Sequence, residues 1–205
     1  TGPPRAARSI SEWLRARRIG RLDAIVLSHP HPDHAGSLEP ILREFGVPEL
    51  WDDGQAEAME PTGPVARTLR GARRRGLRIV TPETLCRAPR RYGAVTVHVI
   101  HPCPAFDRET SENDNSLVLR IDFGRTRALL VGDAEDKAEH TLLASRMSAL
   151  RADVLKVGHH GSRTSTSPAF VAAIRPSLAV MSLGRGNPYG HPHIETLRTL
   201  RRARV

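Results

Sequence analysis

Short apolar runs bounded by Gly, Pro, Asp or Asn recur along the chain. Runs of this kind predict buried or half-buried strands. The clearest alternation places Val95, Val97 and Val99 against Thr96 and His98, which is the period of a half-buried strand. We predict strands at 22–28, 49–51, 77–80, 94–100, 117–122, 127–131, 154–157 and 178–183.

Stretches with helical period lie between these runs. We predict helices at 11–18, 36–44, 65–75, 135–150, 168–174 and 194–202. Pro168 suits a first helical turn, and Gly20 and Gly46 suit helix ends. Gly124 separates two strands that read as an antiparallel hairpin. Strands that arrive both as hairpins and between helices predict a mixed α/β fold with the helices outside.

The 205 residues are enough for one domain with a sizeable core, and 39% are hydrophobic. No apolar run approaches the roughly 20 residues of a membrane span, and no secretory signal precedes the first strand. The chain starts without Met and ends on a basic helix-like segment. We therefore expect residues 1–205 to be a single domain, and a fragment cut at both ends from a longer protein.

Charge and cysteine content leave alternatives open. The net charge of +9, carried almost entirely by Arg, fits a polyanion partner such as nucleic acid, but it fits a solvated surface with biased residue usage equally well. Cys86 and Cys103 have no neighbouring Cys, so no disulfide framework is implied, although their spacing leaves one disulfide open. We expect neither cysteine to bind metal.

The stretch His-Pro-His-Pro-Asp-His at 29–34 concentrates metal ligands in six residues. It follows an apolar run and precedes a predicted helix, so His29, His31, Asp33 and His34 lie on a strand-to-helix loop. Imidazole and carboxylate together suit zinc and tolerate manganese or iron. Two metals about 3.5–4 Å apart are a common device for phosphate-ester hydrolysis. The alternative is a loop that is rich in His by chance.

Two later strand ends add ligands of the same kind. Asp133 follows Val131-Gly132, and His159 and His160 follow Val157-Gly158. Three strand ends that each deliver ligands predict one site at the edge of a sheet.

These motifs, in this order, resemble the metallo-β-lactamase fold superfamily. The stretches ENDNSLVL at 112–119, LKVGHHGSRTS at 155–165 and NPYGHP at 187–192 look like the hydrolase domain of the ComEC DNA-uptake channel family and free-standing ComEC-like hydrolases. The resemblance covers about 22–200. It implies an αββα sandwich of the metallo-β-lactamase type that lacks its first strands, with Thr1-Gly2 as the remnant of the usual Asp-x-Gly turn.

The resemblance also implies a ligand set. His29 and His31 would bind one metal, Asp33 and His34 the other, and Asp133 would bridge them.

By the same resemblance His159 would complete the second site, because superfamily members place this ligand directly after the strand-ending Gly. His160 is then an outer hydrogen-bond partner, a phosphate contact or the true ligand. The implied cofactors are two divalent metal ions, zinc or manganese.

One departure concerns the third His that many superfamily members supply to the first metal. Here Asn113, Asn115 and Ser116 occupy that region, so we expect a first site that is weak, water-rich or suited to manganese. Each Asn is a candidate oxygen ligand or substrate donor. We expect His98 on a strand face and His101 bracing a loop.

We predict a metal-dependent phosphodiesterase or nuclease that acts on single- or double-stranded DNA during uptake. Asp33, His160, Asn115 and His191 are the candidate catalytic residues; Asn113, Ser116, Ser162 and Arg163 are the candidate substrate-binding residues. For Ser162 the alternative, which we favour, is a turn or helix cap.

Two other functions stay open. The same fold hydrolyses lactams, thioesters, lactones and phosphocholine esters, and a metal-stabilised module could guide DNA through a transport channel without cutting it. In a ComEC-like channel the domain would lie at the outer face of the cytoplasmic membrane; otherwise it would be soluble.

Overall fold

Two β-sheets form the centre of the molecule in the computed structural model, which describes residues 2–205; Thr1 of the expected remnant turn lies outside them. The smaller sheet is parallel, in the order β1-β2-β3: β1 Ile25–Val26, β2 Glu49–Trp51 and β3 Arg78–Val80. The larger sheet runs in chain order: β4 Arg90–Tyr92, β5 Val95–His101, β6 Val118–Phe123, β7 Thr126–Leu130, β8 Val154–Lys156 and β9 Leu178–Val180. It is antiparallel from β4 to β7 and parallel from β7 to β9.

Ten helices surround the sheets in the described part of the chain: α1 Ala6–Ala16, α2 Pro32–Ala35, α3 Leu38–Glu44, α4 Gln55–Met59, α5 Pro64–Arg74, α6 Pro82–Leu85, α7 Asp136–Ser145, α8 Met147–Leu150, α9 Pro168–Ile174 and α10 Ile194–Arg202. Apolar residues of α1, α3 and α5 pack on the small sheet, and those of α7, α8 and α9 pack on the large one. None of the helices within residues 2–205 is long and apolar enough to span a membrane.

A third apolar cluster lies between the two sheets. Trp51 and Val80 of the small sheet pack there with Val97, Val99 and Leu119 of the large one, and all are buried. Helices outside, two sheets inside and apolar side chains on both sides of each sheet make the αββα sandwich that the resemblance implied. That expectation is confirmed.

Most predicted elements are present, with shifted ends. The hairpin at Gly124 and the helices Pro168–Ile174 and Ile194–Arg202 are confirmed. The strand predicted at 22–28 shortens to Ile25–Val26, and the helix predicted at 135–150 divides at Arg146 into α7 and α8. The short elements α2, β4, α4 and α6 were not predicted, because three to five residues carry too little periodicity. As a result Asp33 and His34, which we predicted on a loop, lie in the short helix α2.

A disulfide joins Cys86 to Cys103 with their Cα atoms 5.9 Å apart. Cys86 follows α6 at the exit of the small sheet, and Cys103 follows β5 of the large one. The bond therefore ties the two halves of the sandwich together, and a closed loop of this length stabilises the fold by about 3 kcal/mol in the chain-entropy model. It also leaves neither sulfur as a thiolate ligand.

Candidate metal centre

Loops at one edge of the sandwich carry the predicted ligands. The 29–34 loop leaves β1 and is fastened to both sheets, since Leu27 N donates to Trp51 O and Leu117 N donates to Ser28 O, at 2.9 and 2.8 Å. β7 and β8 are parallel neighbours, with Leu130 opposite Lys156. Their carboxyl ends therefore deliver Asp133 and the His159-His160 pair to the same edge.

Asp33, His34, Asp133 and His160 form the tightest group. One ligand atom from each lies within 4.8 Å of all the others. Asp133 Oδ2 lies 3.2 Å from His34 Nε2 and 3.3 Å from His160 Nε2, and His160 Nε2 lies 3.2 Å from Asp33 Oδ2. Two carboxylates and two imidazoles in one space match the donor set that zinc and manganese accept.

The outer nitrogen of both imidazoles in this group is already bonded to protein. His34 Nδ1 lies 3.1 Å from Ser28 Oγ, and His160 Nδ1 donates to Ser182 O at 2.5 Å. Such bonds set the tautomer and orientation of a ligating His. They leave Nε2 of each ring facing the carboxylates.

His29 and His31 lie beside this group as a second pair. His29 Nε2 is 3.1 Å from His31 Nδ1 and 4.0 Å from Asp133 Oδ2. The outer nitrogens are again held: His29 Nδ1 lies 3.2 Å from Ser116 Oγ, and Glu112 Oε2 accepts from His31 Nε2 at 2.7 Å. The nitrogens that remain for a metal are thus Nε2 of His29 and Nδ1 of His31.

His159 approaches Asp133 from a further direction. Its Nε2 is 3.8 Å from Asp133 Oδ2, while its Nδ1 donates to Glu135 Oε1 at 2.8 Å. Both His159 and His160 have positive φ, 40° and 55°, a conformation that is uncommon for residues with a side chain. This tight turn is what directs two adjacent rings to the same carboxylate.

Hydrogen bonds and burial shift the pKa values of several groups in this cluster. Hydrogen bonds to Asp133 and Asp33 raise the pKa of His160 to about 10, and the His160 contact lowers the pKa of Asp33 to about 2. Burial alone would raise the pKa of Asp133, but its bonds to His160 and His34 outweigh burial and lower it. Burial lowers the pKa of His29 to about 3. A protonated imidazole thus provides the positive charge that a cation would replace.

Asp133 also supports the fit of a cation. Its Oδ1 is buried and has no hydrogen-bond partner among the described residues, and Lys156 Nζ stays 3.8 Å away. A buried carboxylate oxygen without a hydrogen bond is costly. Gly132 makes this placement feasible: its φ is +56°, and a Cβ there would lie 2.7 Å from Ser116 Cβ. The residues present therefore fit divalent metal ions.

The Asn-Asp-Asn-Ser segment serves mostly as support. Asn115 is buried and bonded to the 107–111 loop, with Nδ2 donating to Asp107 O at 2.7 Å and Oδ1 accepting from Asp107 N at 2.8 Å. Ser116 Oγ accepts from Asp133 N at 3.1 Å while it holds His29. Asn113 Oδ1 is buried without a hydrogen-bond partner in the described range.

The other predicted residues lie around the group. Ser162 is buried in a turn, its Oγ 2.9 Å from Thr164 Oγ1, which favours the turn interpretation. Arg163 is exposed, and its N donates to His193 Nδ1 at 3.0 Å. His191 packs against the paired histidines, with its ring centroid 5.6 Å from that of His159.

His98 and His101 have the structural positions expected of them. His98 lies on β5 with Nε2 3.3 Å from Asp122 Oδ2 and 3.2 Å from an Arg120 nitrogen. His101 Nε2 donates to Asp114 O at 2.6 Å and braces the loop before β6.

Sequence reasoning missed the residues that orient the ligands. Glu112 and Glu135 each accept from a predicted ligand, and Ser28 lies against two of them. Glu112 opens the ENDNS motif and Glu135 follows Asp133 by two positions, but neither position reveals a partner without the fold.

Comparison with known proteins finds a matching family model and several similar sequences. A family model described as the metallo-beta-lactamase superfamily matches residues 1–185. The chain is 35% identical over 196 residues to "ComE operon protein 3" of Bacillus subtilis, covering 93% of this chain and 24% of that protein. It is 34% identical over 183 residues to "Recombination protein 2" of Haemophilus influenzae, covering 88% and 20%. The chain thus spans about a quarter or less of these relatives.

Solved structures share the fold at low identity. The diiron β-hydroxylase CmlA from Streptomyces venezuelae superposes with a TM-score of 0.59 at 15% identity, covering 90% of this chain and 42% of that one. Zinc-bound PqqB from Methylobacterium extorquens superposes with a TM-score of 0.50 at 12% identity, covering 88% and 69%.

Proposed function

This chain belongs to the metallo-beta-lactamase superfamily, whose members are generally metal-dependent hydrolases, and we propose that it cleaves phosphodiester bonds in DNA with two divalent metal ions. The observation that carries the proposal is the convergence of imidazole nitrogens on the buried Asp133 carboxylate, one oxygen of which has no hydrogen-bond partner among the described residues. When bound, two such ions supply an activated water and stabilise charge on phosphoryl oxygens.

The contacts support two metal positions. His29 Nε2 and His31 Nδ1 would hold the first metal, while Asp33 and His34 would hold the second, with Asp133 shared.

We assign His160 to the second position, because its Nε2 lies in the tight group with Asp33 and Asp133. The resemblance favoured His159, which stays the alternative. In this proposal Glu112, Glu135 and Ser28 keep the imidazoles oriented.

Two observations support the proposal that DNA is the substrate. Relatives that are about a third identical include "Competence protein ComA" of Neisseria gonorrhoeae, at 32% over 196 residues. The chain carries a net charge of +9, and the exposed Arg163 follows directly on the turn that carries His159 and His160. Phosphate contacts from such residues position a nucleic acid without reading its sequence.

We also propose that the parent protein is membrane-associated. The relatives "ComE operon protein 3" and "Competence protein ComA" are each about four times as long as this chain. The Cys86–Cys103 disulfide fits an oxidising compartment, such as the outer face of the cytoplasmic membrane.

Hydrolysis by the purified chain tests the function. We expect manganese- or zinc-dependent cleavage of DNA and of a simple phosphodiester, with little turnover of lactams or thioesters. Efficient hydrolysis of another ester class, with DNA left intact, would move the proposal to a small-molecule hydrolase. DNA binding with no metal-dependent cleavage of any substrate would indicate a DNA-guiding module.

DNA binding should weaken steeply with salt. Lys and Arg contacts to phosphates release counterions, so we expect affinity to fall more than about 10-fold between about 50 and 200 mM salt. Binding should survive chelation even though cleavage stops. Fluorescence anisotropy of labelled DNA, measured with and without chelator, checks this. A flat response to salt would show that the arginines are only a solvated surface.

His31→Ala should damage hydrolysis less than changes to Asp133. The side chain of His31 is 39% exposed and that of Asp133 is 3% exposed, and the first position has no third His from the 113–116 region. We expect about a 10-fold loss of activity at saturating manganese and a larger loss in zinc. Metal titration beside activity measures both effects. Complete inactivity in saturating manganese would rule out a weak first position.

A further inference from the structure

An aromatic row leads from the surface to the metal ligands. The rings of Tyr189 and His191 are stacked, with centroids 5.7 Å apart and an interplanar angle of 26°. His191 is in turn stacked with His160, at 6.5 Å and 21°. Tyr189 is the outermost ring, and 73% of it is exposed. We call Tyr189 and His191 the stacking pair.

Residues 184–193 carry the stacking pair, and hydrogen bonds hold this segment in place. Asn187 bonds His191 twice, with Oδ1 accepting from His191 N at 3.0 Å and Nδ2 donating to His191 O at 2.8 Å. His193 N donates to Gly161 O at 2.9 Å, which ties the segment to the turn that carries His159 and His160. An aromatic ring displayed on a braced loop loses little conformational entropy when it binds a planar ligand.

Positive charge flanks the same segment. Arg185 lies within residues 184–193. Arg163 lies beside them, because its N donates to His193 Nδ1. Both arginines are exposed. The exposed Arg5 lies at the start of this segment, with Nη2 3.9 Å from where a Cβ of Gly184 would be. A flat aromatic face bordered by arginines is the combination that binds single-stranded nucleic acid.

We propose that the stacking pair receives an unpaired nucleobase next to the scissile phosphate, so that single-stranded DNA is bound in preference to duplex. Base faces inside a duplex are covered by neighbouring bases, whereas an unpaired base offers a face to Tyr189. This inference rests on the proposed function, because it needs DNA as the ligand of the metal centre.

Binding of labelled single strands and duplexes of equal length, with chelator present, tests the proposal. Stacking contributes about 1–3 kcal/mol per base, so we expect Tyr189→Ala to weaken single-strand binding about 5- to 150-fold and duplex binding little. Tyr189→Phe should keep the wild-type preference, because it keeps the ring. Tyr189→Lys should lose it despite the added charge.

Phe123→Ala is the matched control. Phe123 is 60% exposed and lies at the hairpin turn of β6 and β7, at the opposite end of these strands from Asp133. This variant should leave both affinities unchanged. If Tyr189→Ala loses equal affinity for single strands and duplexes, or loses none, the proposed role of the stacking pair is overturned. DNA cleavage by the wild type would still support the proposed function in that case. A wild type that binds no DNA would overturn both.

Discussion

Asp133→Asn is expected to lower metal affinity and hydrolysis together, each by more than about 100-fold. Changes to outer partners of metal ligands already cost about 10- to 100-fold, and Asp133 has a more direct position. Its Oδ2 lies within 4.0 Å of the Nε2 atoms of His29, His34, His159 and His160. The amide of Asn keeps the shape of the side chain and removes the charge that would hold both metals in the proposed site.

The measurement is calorimetric titration with manganese and zinc beside DNA cleavage at saturating metal. Asp136→Asn is the matched control, since Asp136 is an exposed residue in the first turn of α7, three positions away, and we expect it to behave as wild type. Wild-type metal affinity and activity in Asp133→Asn would refute the assignment of Asp133 as the shared ligand.

His160→Ala is expected to be more damaging than His159→Ala. We expect losses of about 100-fold or more for His160 and about 10-fold for His159, in both metal affinity and hydrolysis. His160 Nε2 lies 3.1 Å from His34 Nε2 and within 3.3 Å of both Asp33 Oδ2 and Asp133 Oδ2. His159 Nε2 reaches only Asp133 Oδ2, at 3.8 Å, and its other nitrogen is bonded to Glu135.

Both variants are compared with His140→Ala, which removes an exposed imidazole on α7 and should leave metal affinity unchanged. The number of metal ions bound per chain adds a readout that does not depend on turnover. If His159→Ala is the more damaging variant, His159 would be assigned as the ligand of the second metal position in place of His160. Equal and complete losses would indicate that both rings ligate.

The fold could be predicted well where patterns are long and local. The 94–100 alternation became β5, the Gly124 hairpin pairs as expected, and two helices start and end at the predicted residues. Strand ends were less predictable. In the strand predicted at 22–28 the apolar run continues past Val26, but the chain leaves the sheet there and forms the 29–34 loop. Hydrophobicity alone cannot show where such a strand ends.

The candidate site, like the fold, could be predicted from the sequence only in part. Ligand types and their positions after apolar strands are local properties, so the sequence by itself determined that His29, His31, Asp33, His34 and Asp133 are candidates for one metal centre. It did not distinguish His159 from His160, which are chemically identical neighbours. Their φ values and the bonds of their outer nitrogens set which ring faces Asp33.

The sequence by itself determined the mixed α/β class and a set of candidate metal-binding side chains, because periodicity and strand-end residues act over a few positions. The αββα arrangement was implied by the resemblance of its motifs to a known family. Only the tertiary structure decided the partners that lie far apart in the chain. Glu112 meets His31 across 81 positions, Cys86 meets Cys103 across 17, and His191 stacks on His160 across 31. These contacts depend on how separate loops meet at one edge of the sandwich, and no local pattern encodes that meeting.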